Sequence, residues 1–147
     1  MNTFPRPFTI FIRRKLCLVA KAVDDCGFSN SGLKALGFIK RRRPSSSGYI
    51  FVNEKFDVVL KFPYLTVRKW GRAPSKYCIP TIFVKNPNYK KNAYEIGKWA
   101  LIQPLANTRN RGRAYDLLEG AKADTQVRDF HPNNVAWYLK MPVIIDW

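Results

Sequence analysis

The residues best suited to chemistry are Asp129, Asn134 and Asp146, which lie close together at the end of the 147-residue sequence. Asp129 and Asn134 sit on a polar loop and at its end, and Asp146 directly follows the apolar run Val143-Ile144-Ile145. Carboxylates on a loop or at a strand end are well placed to meet a ligand. A magnesium ion carrying a nucleotide needs hard oxygen donors, usually one or two from the protein and the rest from phosphate and water. Asn134 and Asp146 are the right types for that task. Asp129 has the chemistry to take a proton from an attacking hydroxyl. The apolar run before Asp146 implies burial, and a buried carboxylate needs a partner, for which one of the many arginines would serve as well as a metal.

Such a constellation must be held by a scaffold. Ile12, Leu16, Val19 and Val23 recur at helical intervals, which predicts an amphipathic helix over Ile10 to Val23, ended by Gly27. After the turn cluster Ser29-Asn30-Ser31-Gly32, the apolar stretch Leu33 to Ile39 reads as a strand. Arg41-Arg42-Arg43-Pro44-Ser45-Ser46-Ser47-Gly48 has no apolar residue and reads as an exposed loop. Tyr49 to Val52 and Phe56 to Phe62 are rich in aromatic and β-branched residues and predict a hairpin across Asn53-Glu54-Lys55. Ile79 to Val84 and Trp99 to Leu105 read as two more strands, joined through the turn-rich Asn86 to Asn92. Past Asn107, Ala114, Leu117, Leu118 and Ala121 predict a helix over Arg113 to Ala123. The fold class expected is α+β, in a single domain over 1–147. Its parts are an N-terminal helical segment (1–34), a sheet-rich lobe (35–106) and a smaller final lobe (107–147).

Composition narrows the class. The chain is 46% apolar and 14% aromatic, too hydrophobic for a disordered basic tail. The apolar stretch Phe8 to Val19 is interrupted by Arg13, Arg14 and Lys15 and reads as neither a membrane span nor a signal peptide. Cys17, Cys26 and Cys78 are odd in number and lack paired metal spacing, and His131 is the only histidine, so a reducing cytoplasm is expected and a structural zinc site is not. Twenty-six Lys and Arg against 10 Asp and Glu give a net charge of +16. Charge of this size favours anionic partners, whether nucleic acid or an acidic protein surface. The arginines Arg41, Arg42, Arg43, Arg109, Arg111 and Arg113 would also be at home on solvated loops.

Around Asp129, Asn134 and Asp146 the sequence resembles the protein-kinase-like superfamily, particularly its aminoglycoside phosphotransferase and choline kinase branches. Their catalytic loop reads D-x-H-P-x-N, matched by Asp129, His131, Pro132 and Asn134, and a later apolar strand ends in I-D-W, matched by Ile145, Asp146 and Trp147. The sequence also looks like the small kinases of short-tailed coliphages through Asp25-Cys26-Gly27-Phe28, Leu36-Gly37 and Val59-Leu60-Lys61. The resemblance covers roughly Leu36 to Trp147. It implies a minimal kinase-like fold with a five-stranded antiparallel sheet and a reduced helical lobe truncated after the metal-binding aspartate.

It further implies ATP and magnesium as cofactors. Lys61 would meet the nucleotide phosphates, Asp129 would be the base, and Asn134 and Asp146 would hold the metal, with His131 supporting the loop. The nucleotide hinge would fall at Gln103-Pro104-Leu105-Ala106, making Gln103 and Leu105 nucleotide contacts. Ser46, Ser47 and Gly48, with Arg41, Arg42 and Arg43, stand where a glycine-rich phosphate loop would be, and backbone amides and arginines are able to hold phosphate. Three features depart from the pattern: the phosphate-covering loop lacks G-x-G-x-x-G, no acidic residue lies between Lys61 and Glu95 to pair with the lysine, and Val127 replaces the histidine that often precedes the catalytic Arg-Asp pair. Two functions are expected from this: a phage-type kinase acting on a host protein, or a non-catalytic interaction protein whose basic face binds a nucleoprotein, nucleic acid or acidic protein. Homodimerisation through surface that a missing helical lobe leaves exposed is a further expectation.

Overall fold

The structure, a computed structural model, describes residues 9–42, 49–64, 77–85, 99–121 and 130–145. Helix α1 spans Thr9–Asp25 and buries the stripe Ile12, Leu16, Val19 and Val23, as the spacing predicts. It ends in a Schellman motif, with Gly27 N–H donating to the Asp24 carbonyl at 2.9 Å and Phe28 N–H to the Val23 carbonyl at 3.4 Å. Gly27 takes the left-handed φ of +67° that this motif needs.

The Leu33 to Ile39 stretch is not a strand. Residues Asn30–Ala35 form a short helix, α2, whose N-cap Ser29 Oγ accepts from Gly32 N–H at 3.0 Å. A second Schellman motif closes it, through Gly37 N–H to Lys34 and Phe38 N–H to Leu33, with Gly37 at φ +100°. Leu33 and Phe38 both enter the core, which is the apolar contact that accompanies this motif.

Strands β1 (Ile39–Arg42), β2 (Tyr49–Asn53), β3 (Val58–Tyr64), β4 (Ile82–Lys85) and β5 (Trp99–Pro104) form one antiparallel sheet in the order β1-β2-β3-β5-β4. Arg41 and Arg42 therefore belong to a strand rather than to the exposed loop expected from their charge. Asn53 ends β2, where its side chain accepts from Phe56 N–H and donates to the Leu36 carbonyl, so the hairpin turn begins one residue later than expected.

Because side chains alternate along a strand, Val58, Leu60, Ala100, Ile102 and Val84 pack with α1, while Val59, Lys61, Leu101 and Gln103 occupy the other sheet face. Helix α3 (Arg111–Gly120) starts two residues earlier than expected and ends before Ala123. It covers a second hairpin, β6 (Val135–Tyr138) and β7 (Met141–Ile144), through Ala114 and Leu118 packed with Val135 and Ile144. Ile79 lies outside β4. The segment around Cys78 instead pairs with Ile144, through Ile79 N–H to the Ile144 carbonyl and Ile144 N–H to the Tyr77 carbonyl, both 2.8 Å. Among the described residues, no helix is long and apolar enough to cross a membrane.

Candidate functional site

Two long polar side chains interrupt otherwise apolar strands, and both are buried: Lys61 on β3 and Gln103 on β5 are 6% and 2% exposed. The sheet register pairs Lys61 with Leu101 and Val59 with Gln103, which sets them diagonally on one face. Burying an ammonium and an amide is costly unless their donors are satisfied. The Ile145 carbonyl meets that demand, accepting from Lys61 Nζ at 3.3 Å and from Gln103 Nε2 at 3.0 Å. Gln103 Nε2 also donates to Thr81 Oγ1 at 3.0 Å, and that hydroxyl donates to the Ile79 carbonyl at 3.1 Å.

Ile145 is held on its other edge as well. Its N–H donates to the Asn134 carbonyl at 2.8 Å, extending the β6–β7 ladder by one pair. Asn134, 7% exposed, closes the 3-10 turn Pro132–Asn134, which His131 caps by accepting Asn133 N–H on Nδ1 at 3.2 Å. That bond leaves the proton of a neutral ring on Nε2. Phe130, next to Asp129 in sequence, stacks on Tyr115 of α3 with ring centroids 4.7 Å apart. Trp137 Nε1 donates to the Asn110 carbonyl at 3.0 Å, and Trp137 and Asn107 exchange backbone hydrogen bonds, so the hairpin is tied to the chain leaving β5. Lys61 of β3, Gln103 of β5 and Asn134 of the 3-10 turn thus meet at one residue, Ile145, whose carbonyl carbon is bonded to the nitrogen of Asp146.

Arg41, exposed, shares a sheet face and a row with Lys61 through Ile50, two strand spacings or roughly 10 Å away. Arg42 follows it on the same strand, where its backbone pairs with Tyr49. Leu105 is half-buried, and its backbone N–H donates to the Asp57 carbonyl at 2.9 Å, so a nucleotide base at this position would meet groups other than that N–H. Arg43, Ser46, Ser47, Gly48, Asp129 and Asp146 lie outside the described residues.

Around Lys61 the face is apolar, with Val59 and Leu101 buried and Ile50, Val52 and Phe83 half-buried. In the β6–β7 hairpin, burial pushes the Tyr138 phenol above its ordinary value of 10.0, with the negative charge of Asp57 as a second, smaller cause. Among the described residues, no three His, Cys, Asp or Glu side chains cluster in a way that would hold a metal. Nucleotide-borne magnesium makes a smaller demand on the protein, which one amide and one carboxylate meet.

Residue type singles out Asn134, and the kinase resemblance singles out Lys61 and Gln103, but neither gives a hint of Thr81 or of the Ile145 carbonyl. A main-chain acceptor has no sequence signature. Thr81 is one threonine among several. The chain matches no protein-family model, no curated protein and no solved structure.

Proposed function

We propose that this protein is a kinase-like phosphotransferase that binds ATP with magnesium and transfers the terminal phosphoryl group to a hydroxyl of another protein. The observation that carries this reading is the meeting of Lys61, Gln103 and Asn134 at Ile145, the residue before Asp146. Lys61 and Ile145 are 84 residues apart in the chain, so the expected phosphate-binding lysine and the expected metal-binding strand are brought together only by folding. The apolar face around Lys61 suits the flat face of a purine.

ATP supplies the phosphoryl group, and magnesium supplies positive charge at its phosphate oxygens. On this reading Asn134 and Asp146 hold the metal with their amide and carboxylate oxygens. Lys61 supplies the positive charge that the phosphate oxygens meet on this reading. Asp129 takes the proton of the acceptor hydroxyl as its oxygen bonds to the γ-phosphorus. The bond from that phosphorus to the β,γ-bridging oxygen breaks, and ADP leaves. The likeness to phage kinases makes a host protein the expected acceptor.

Asp129→Asn keeps the side chain's shape but removes its basicity, which should lower phosphate transfer by about two to four powers of ten. The assay follows labelled phosphate from ATP into candidate proteins and into Ser45, Ser46 and Ser47 of the chain itself. Full activity in Asp129→Asn would overturn the base assignment. The charge of +16 favours a second reading, a non-catalytic protein that binds an acidic partner. In that case neither form would transfer phosphate and both would bind the partner equally.

A further inference from the structure

The core stripe of α1 accounts for one side of that helix, and the opposite side has a pattern of its own. Phe11, Arg14, Leu18 and Lys21 recur at i, i+3, i+7 and i+10, which places them along one line of the helix surface. Phe11 is 81% exposed and Leu18 69%, the two most exposed large apolar residues among those described, and Arg14 and Lys21 are exposed beside them. The acidic residues of α1, Asp24 and Asp25, are confined to its last turn. Two exposed apolar side chains one heptad apart on a single helix face, flanked by cations, form a pattern that a facing helix can match.

We propose that this outer face of α1 docks an acidic amphipathic helix of a partner protein. Phe11 and Leu18 are about 10.5 Å apart along the axis, which matches apolar residues one heptad apart on a facing helix. Arg14 and Lys21 lie between and beyond them, where carboxylates of the same partner would be met. A second copy of this chain is a poor occupant, because it brings another +16 and sets like charges against each other. Nucleic acid would satisfy Arg14 and Lys21 and could stack a base on Phe11, but it would leave Leu18 in water. A bilayer gains with buried apolar area, and two side chains offer little.

The surface lies across the sheet from the Lys61 face, since α1 packs with Leu60 and Ile102 and not with Lys61 and Gln103. A partner held there leaves the candidate site open, and the proposal stands whether or not the protein transfers phosphate.

The probe is a labelled 21-residue helical peptide with Leu one heptad apart and Glu at the flanking positions, titrated by fluorescence anisotropy. Saturable binding should weaken at least about tenfold in the double variant Phe11→Ser/Leu18→Ser. Arg14→Glu/Lys21→Glu should lose the Glu peptide to a similar degree and gain a peptide with Lys at the same positions. All four side chains are exposed, so melting temperature and any ATP-induced shift should be unchanged. No saturable binding, or equal binding by the variants, would overturn the proposal. So would Phe11-dependent and Leu18-dependent binding to phosphatidylserine vesicles or single-stranded DNA in place of the peptide.

Discussion

Replacing Gln103 by Leu tests the geometry on which the site depends. Leu occupies nearly the same volume, so the change removes donors without opening a cavity. Two hydrogen bonds of 3.0 Å disappear, one to Thr81 Oγ1 and one to the Ile145 carbonyl. At about 1 kcal/mol each, with a further penalty for buried acceptors left short of a donor, the gross loss is roughly 2–4 kcal/mol. Burial of the added apolar surface offsets about 1 kcal/mol. The net destabilisation is then about 1–3 kcal/mol, and at roughly 2–4 °C per kcal/mol for a chain of this size a central value lowers the melting temperature by about 4–8 °C. Circular-dichroism melts and urea titrations both read it, and an unchanged m-value shows that stability alone moved. Thr81→Val severs the same bond between the two side chains, so the double variant should be less destabilised than the sum by about 0.5–1 kcal/mol. Strict additivity, or a Gln103→Leu protein as stable as the parent, would refute the claim that this amide anchors the residue before Asp146.

Leu139 and Lys140 form the β6–β7 turn with φ of +48° and +65°, a conformation that suits Asn-Gly. Leu139→Asn/Lys140→Gly should therefore stabilise the chain by about 1–2 kcal/mol, and a melting temperature no higher than the parent's would count against strain there. For Tyr138, a folded-state pKa raised above the unfolded value of 10.0 means that its contribution is fully present below pH 10 and is lost as pH rises through the raised value. Urea titrations from pH 8 to 11 should show that component in the parent and lose it in Tyr138→Phe; identical pH profiles would exclude it.

Much of this fold is legible because hydrophobic periodicity survives in the folded chain. Ile12, Leu16, Val19 and Val23 repeat every three or four residues and are all buried, and the β-branched runs of β2 and β3 pair in the order expected. Helix α2 is different, since a segment of six residues is too short to show a period and Ser29-Asn30-Ser31-Gly32 reads equally as a turn. Its signals are local, a serine N-cap and a left-handed glycine at its end. Arg41 and Arg42 were hidden by their charge, because at the edge of a sheet backbone pairing outweighs side-chain polarity. Within the site, Lys61 and Gln103 are marked in the sequence only through the resemblance to kinases, not by a pattern of their own. Their shared acceptor at Ile145 depends on sheet register and on the short parallel pairing at Cys78, neither of which a linear pattern encodes.

A nucleotide site formed by Lys61, Asn134 and Asp146 would make the melting temperature depend on ATP and magnesium together. A ligand bound only by the folded chain stabilises it by about 2.7 kcal/mol at a hundredfold excess over its dissociation constant, or about 5–10 °C here. The shift should require magnesium and vanish in Asp146→Ala. No shift at millimolar ATP and magnesium, or the same shift in Asp146→Ala, would exclude such a site.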